Sequence, residues 1–178
     1  MMEDQPAQDV ILRPMELKDV EQVYAIDVLS FSLPWSERSY RFELTENPTS
    51  HPWVAEMLDS RGQPQVVGMI VVWIILDEAH IATVAAHPAY RRQGIGRRLL
   101  ARALEDAAGR GAIKAYLEVR RSNLGAQKLY EQFGFTVTGI RPRYYLDTQE
   151  DALLMTLEHL DLWLANYRST GMPWQNKT

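Results

Sequence analysis

Apolar residues recur at helical spacing over 17–31, where Leu17, Val20, Val23, Ile26 and Leu29 to Phe31 share one face. The SLPW segment interrupts that rhythm. Ser36 then stands where it can cap a second helix, SERSYRFELTE, which stops before Asn47-Pro48. Beyond it the pattern becomes that of strands. WVAEML at 53–58 and a β-branched run at 65–76 flank a turn through Ser60, Arg61 and Gly62, which predicts a hairpin. VILRP at 10–14 and HIATVAAH at 80–87 read as further strands, closed by Pro14 and Pro88. Helical spacing returns with Leu99, Leu100, Ala103, Leu104 and Ala107, predicting a helix from near Ile95 to Gly109-Arg110-Gly111. KAYLEV at 114–119 is a strand, and Ser122 or Asn123 caps a helix running to about Phe133. FTVTGIRPRYY and EDALLMTLE form a last hairpin. A meander of strands followed by alternation with helices predicts an α/β fold, a mixed sheet with helices on both faces.

The flanks read differently. Residues 1–9 are polar and acidic, a flexible leader, which puts the domain at 10–158; residues 159–178 begin amphipathic and end in a polar extension. No internal repeat or second domain is evident.

Composition narrows the function classes. With 178 residues and 46% hydrophobic content, the chain can bury one substantial core. A net charge of −4 argues against direct nucleic-acid binding, which needs a broad basic surface. The absence of cysteine excludes disulfides, thiolate metal sites and a cysteine nucleophile. His80 and His87 lack ligand spacing with other histidines or acids, so no metal is expected. The longest apolar run, VVGMIVVWIIL at 66–76, is too short to span a bilayer as a helix, and the N-terminus lacks a secretion-signal pattern. A soluble, cytoplasmic protein with no membrane partner is the expectation.

Against this acidic background, YRRQGIGRRLL at 90–100 concentrates four arginines and two glycines ahead of a helix. Backbone N–H groups at a helix start converge on one spot and carry the positive end of the helix dipole. Gly94 and Gly96 would let a phosphate approach the backbone, with Arg91, Arg92, Arg97 and Arg98 adding charge. The Gly-Lys-Ser/Thr ending of a P-loop is absent, and so is the third glycine of a dinucleotide fingerprint. Taken alone, the turn also suits a solvated arginine-rich surface. Its pattern Arg91-Arg92-Gln93-Gly94-Ile95-Gly96 resembles the pyrophosphate-binding motif of the GCN5-related N-acetyltransferase (GNAT) superfamily, R/Q-x-x-G-x-G/A, which holds acetyl-coenzyme A.

A longer stretch, LEVRRSNLGAQKLYEQFGF at 117–135, resembles the hallmark of the ribosomal-protein-alanine N-acetyltransferase (RimI-like) branch of that superfamily. LPWSE at 33–37, LDEAHIATVAAHP at 76–88, IRPRYY and EDALLMTL are similar to other segments of the branch, so the resemblance spans roughly 10–158. It implies the GNAT fold, a mixed, mostly antiparallel, splayed sheet that grips acetyl-CoA between two parallel central strands. It further implies Glu118 as general base and Tyr130 as general acid. The backbone of Val84, Ala85 and Ala86 would pair with the acetyl–pantetheine arm, residues Arg91 to Arg97 would cradle the pyrophosphate, and Asn123 would contact the cofactor. The acceptor implied is a protein N-terminal α-amine, the alanine of a small-subunit ribosomal protein, lying against Trp35, Tyr144 and Tyr145, with Glu78 assisting through water. Other amines (lysine, a polyamine, an amino sugar) and a non-catalytic acetyl-CoA-binding module are the rival readings.

The chemistry suits these residue types. An α-amine with a pKa of about 7.7–8.0 is partly neutral near pH 7, so a carboxylate need only accept a proton as the new bond forms. A phenol stays protonated at that pH and can donate to a leaving thiolate. Read from pattern alone, Glu118 could simply pair with an arginine. Tyr130 falls in the core stripe Ala126, Leu129, Tyr130, Phe133, and Asn123 is explained as a helix cap. Two positions depart from the branch. His87 precedes Pro88 where aspartate is frequent, and Gly125 lies near a helix start, at a cost of about 1 kcal/mol.

Overall fold

The computed structural model describes residues 10–170; the leader expected at 1–9 and the end of the C-terminal extension lie outside them. Seven strands form one open sheet in the order β1-β2-β3-β4-β5-β7-β6. They are β1 (Ile11–Pro14), β2 (Trp53–Leu58), β3 (Pro64–Ile75), β4 (Glu78–Ala86), β5 (Lys114–Arg120), β6 (Thr136–Tyr145) and β7 (Glu150–Leu157). Every neighbouring pair is antiparallel except β4 and β5, which are joined by a helical crossover and run parallel. Five helices cover it: α1 (Val20–Ser30), α2 (Glu37–Thr45), α3 (Ile95–Gly109), α4 (Leu124–Gln132) and α5 (Leu160–Thr170). This is the mixed, mostly antiparallel α/β architecture that the sequence predicts.

Alternation along β3 divides the interior. Val67, Ile70 and Val72 join α3 in one core, whereas Met69 and Val71 pack with Val20, Val23, Ile26 and Tyr40 of α1 and α2. A strand covered on both faces loses the polar-out pattern, which is why its sequence reads as a continuous apolar run. Gly68 sits on the α3 side. A methyl group there would lie 2.6 Å from Cγ2 of Ile95 and 3.0 Å from Cδ1 of Leu99. The bare backbone therefore lets the first turn of α3 rest directly on the sheet.

The caps follow the sequence. Ser36 accepts from the Ser39 amide at the start of α2, and Asn123 accepts from the Ala126 amide at the start of α4. The early part of the C-terminal stretch forms α5, whose Leu160 and Trp163 are buried in the α3-side core. The Trp163 ring stacks on Phe133 beyond the end of α4 and on Tyr167 within α5. Near the opposite sheet edge, Arg13 bridges Asp19 at 2.7 Å and Glu56 at 2.5 Å. Burial works against the Asp19 charge, but the Arg13 guanidinium holds its carboxyl below the usual range.

Gly68→Ala is expected to destabilise the protein by about 1–3 kcal/mol, because the branched Ile95 side chain cannot retreat from the added methyl. Chemical denaturation of the two proteins side by side measures it, and an unchanged midpoint would refute the close approach.

Candidate active site

Parallel pairing between β4 and β5 covers only Glu78 to Ile81 against Lys114 to Leu117. Past Ile81 the two strands separate. At the same place the β3–β4 register shifts, so that Val71 opposes Thr83 while Val72 opposes Ile81, leaving Ala82 as the extra residue of a bulge. From Ala82 to Ala86, β4 keeps its partner on the β3 side and has no strand partner on the β5 side. Backbone N–H and C=O groups on such an edge need a partner, and an extended ligand with amide groups can supply one.

A cavity of about 900 Å³ occupies the gap. Trp73 of β3, His80 of β4 and Tyr116 of β5 are cross-strand neighbours and form its aromatic floor. Trp35, after α1, stacks on Trp73 with ring centroids 6.3 Å apart. Its amide donates to the buried Asp27 carboxylate at 2.6 Å. Burial raises both the Asp27 carboxyl and the adjoining Tyr40 phenol from their usual ranges.

Glu118 alternates with the buried Leu117 and Val119 and so faces this cavity on the same side as Tyr116. Arg141 of β6 reaches it, Nε to Oε1 at 3.2 Å. The adjacent Glu118 carboxylate, with burial, pushes the Tyr144 phenol up. Tyr130 belongs to the α3-side core yet lines the same cavity, because the parted strands open one face of the sheet to the other. Its phenol is raised by burial and therefore keeps its proton. The geometry thus brings a carboxylate and a buried neutral phenol to one slot.

One rim of the cavity is tied shut. Arg120, at the end of β5, donates to Asp147 at 2.8 Å and 3.0 Å and to Ser32 at 3.3 Å. Ser32 also donates directly to Asp147. The Arg120 guanidinium lies 3.9 Å from the centre of the Tyr145 ring. Burial raises the Tyr145 phenol to about 12 despite that nearby cation. The loop after α1, the end of β5 and the β6–β7 turn are thereby joined.

At the other end of the parted strands lies the arginine–glycine turn. Arg92 (φ 65°) and Gly94 (φ 77°) adopt left-handed backbone. Such residues between ordinary ones curl successive N–H groups to one side, the geometry of an anion nest. Gly94 caps α3, whose first amides lack partners within the helix. Arg92, Gln93 and Arg97 are exposed there, while Arg91 leans on Ala86 and Ser30. The side chain of Ile95 is buried in the core, so only its backbone can serve a ligand. His87 occupies the position where aspartate is frequent in the branch, and its Nδ1 accepts the Ala89 amide as a carboxylate would.

Of the residues singled out in the sequence, Glu118, Tyr130, Val84, Asn123, Trp35, Tyr144 and Tyr145 line the cavity. Ala85 and Ala86 continue the free edge toward the turn, with the Ala85 side chain buried. Glu78 does not line it. Its carboxylate pairs with His80 at 3.0 Å and accepts from Tyr116 at 3.4 Å, supporting the floor from below. Sequence reasoning passed over Asp27, Trp73, Tyr116, Arg120 and Arg141, all of which line the cavity. Arg120 and Arg141 lie within the quoted motifs, but only strand register brings them to the site. Among the described residues no cluster of three or more His, Cys, Asp or Glu could hold a metal ion, and no helix is long and apolar enough to cross a membrane.

The family model for the acetyltransferase (GNAT) family matches residues 20–135. The chain is 41% identical over 144 residues to the putative [ribosomal protein bS18]-alanine N-acetyltransferase of Bacillus subtilis, covering 81% of this chain and 92% of that protein. It is 34% identical over 145 residues to the [ribosomal protein bS18]-alanine N-acetyltransferase of Escherichia coli K12, covering 80% and 93%. The crystal structure of the ribosomal-protein-S18-alanine N-acetyltransferase from Escherichia coli superposes with a TM-score of 0.75 at 31% identity, over 85% of this chain and 94% of that one.

Arg97→Glu is expected to weaken acetyl-CoA binding about tenfold or more at low salt, with the deficit shrinking as screening increases. Calorimetry at two ionic strengths measures it; equal affinity of parent and variant at low salt would remove the turn from the binding site.

Proposed function

Since the chain belongs to the acetyltransferase (GNAT) family, we propose that it acetylates a protein N-terminal α-amine, the alanine of ribosomal protein bS18, by direct transfer in one ternary complex. Similarity over nearly the whole length of two enzymes named for that acceptor carries the reading. Acetyl-CoA is the co-substrate, and its thioester supplies an activated acetyl group.

The residues fit that donor. The free edge at Val84, Ala85 and Ala86 offers amide groups to the pantetheine arm, and the nest from Arg91 to Arg97 offers N–H groups and charge to the pyrophosphate. Asn123, a helix cap on the cavity wall, borders the same arm. Glu118 accepts the proton from the acceptor nitrogen at a carboxylate oxygen, directly or through one water. Tyr130 donates its phenolic proton to the departing sulfur. Its raised pKa keeps that proton available throughout the neutral and mildly alkaline range. The acceptor chain lies against Trp35, Tyr144 and Tyr145, and Glu78 acts through the floor residues His80 and Tyr116.

Closure of the rim by Arg120, Asp147 and Ser32 favours an acceptor that enters end-on, as a chain terminus does. An α-amine also asks less of a carboxylate base than a lysine amine near about 10.4. Acetylation removes one positive charge and alters the donors at the terminus.

Mass spectrometry of a peptide with N-terminal alanine and one internal lysine, incubated with protein and acetyl-CoA, is expected to place the acetyl group on the alanine amine. Acetyl on the lysine instead would overturn the acceptor. Glu118→Gln and Tyr130→Phe should each slow turnover about 10²–10⁴-fold while acetyl-CoA affinity stays unchanged. Parent rates in both variants would overturn the assigned roles.

A further inference from the structure

The carboxylate assigned as base already holds a cation. Arg141 contributes Nε at 3.2 Å from Oε1 of Glu118. An acceptor α-amine arrives mostly as an ammonium below its pKa of about 7.7–8.0, and it would pair with the same carboxylate. Each cation offsets the negative charge that attracts the other, so a guanidinium and an ammonium compete for the one carboxylate. The arginine is the mobile partner, since its side chain is 56% exposed against 28% for Glu118.

The local backbone points the arginine at the site. Between Arg141 and Tyr145 the β6–β7 register shifts, so that the intervening residues of β6 oppose Asp151 alone. Arg143 takes φ 52° within this bulge, and its amide donates to Asp151 at 3.0 Å. A bulge of this kind re-aims the side chains beside it. Arg141 also lies 5.5 Å from the centre of the Tyr144 ring, so a second partner stands ready when it leaves the carboxylate.

We propose that Arg141 is a place-holder for the acceptor ammonium: it occupies the Glu118 carboxylate in the empty site and is displaced onto the Tyr144 ring as the acceptor docks. The exchange swaps one cation for another, so Glu118 stays paired until an acceptor arrives. It also makes the site selective for a positively charged end, because a neutral group in the same position has nothing to offer the carboxylate in return for the guanidinium. The proposal rests on Glu118 as base and names Arg141 as a positioning residue. The other titratable or charged side chains facing this carboxylate or lining its cavity are Tyr144 and Tyr145 of β6, Tyr116 and Arg120 of β5, His80 of β4, Tyr130 of α4 and Asp27 of α1.

The test is peptide binding to the enzyme–CoA complex at about pH 6.5, where an ordinary α-amine is charged. Two peptides are compared by calorimetry, one with a free N-terminal alanine and one with the same terminus acetylated. Arg141→Met should bind the free-amine peptide about three- to fivefold more tightly than the parent, the scale of a partly exposed ion pair, and bind the acetylated peptide as the parent does. Arg141→Gln should do the same, which guards against a packing effect of methionine. In a Glu118→Gln background the change at 141 should have no effect, since the shared partner is gone. Weaker binding of the free-amine peptide, or an equal shift for both peptides, would overturn the place-holder. Turnover of Glu118→Gln at the parent rate would overturn the base instead, and the binding cycle reports on Arg141 independently of that result.

Discussion

The rest of the molecule is arranged around one broken partnership, the parting of β4 and β5 after Ile81 and Leu117. Unpaired backbone inside a sheet is costly, and folds avoid it. Here two features hold the strands apart without unravelling them. A bulge at Ala82 bends β4 while β3 keeps its other edge paired, and β7 keeps β5 in register from Ala115 to Arg120. Each parted strand is thus secured by its outer neighbour, and the gap between them becomes a cavity instead of a defect.

That gap explains how groups from two cores meet. Glu118 faces the side of the sheet covered by α1 and α2, whereas Tyr130 is part of the core built on α3. In a closed sheet they would be separated by a layer of backbone. Across a parted one they line the same cavity, with the Tyr130 phenol buried and the Glu118 carboxylate half-buried. Gly68 supports the same arrangement from a distance, because it seats the first turn of α3, and the nest before it, against β3.

Much of this was legible in the chain. Periodicity placed most helices and strands within a residue or two, since Leu99 to Ala107 and the run at 65–76 carry unambiguous patterns. The two motifs located the turn, Glu118, Asn123 and Tyr130. What stayed hidden depended on register. Arg141 reaches Glu118 only because β6 is bulged and separated from β5 by β7, an order no local pattern encodes. Arg120 lies within the quoted motif, two positions from Glu118, yet it joins Ser32 and Asp147, partners 88 and 27 positions away in sequence. The plain readings hold: Glu118 does pair with an arginine, and Asn123 does cap a helix.

The proposed grip on the donor would have a consequence for turnover. In the proposed site, the free edge at Val84 to Ala86 and the nest at Arg91 to Arg97 would address the pantetheine and pyrophosphate, parts of the donor that the reaction leaves unaltered. Contacts of that kind hold the spent carrier as firmly as the loaded one, since uniform binding does not distinguish the two. Discrimination between acetyl-CoA and CoA therefore falls to the few atoms at the thioester end, beside Tyr130. The acetylated terminus, by contrast, would have lost the charge that matches it to Glu118 in the proposed reaction. Such a site favours early departure of the peptide product and late departure of CoA, which couples its rate to the ratio of charged to uncharged carrier in its surroundings.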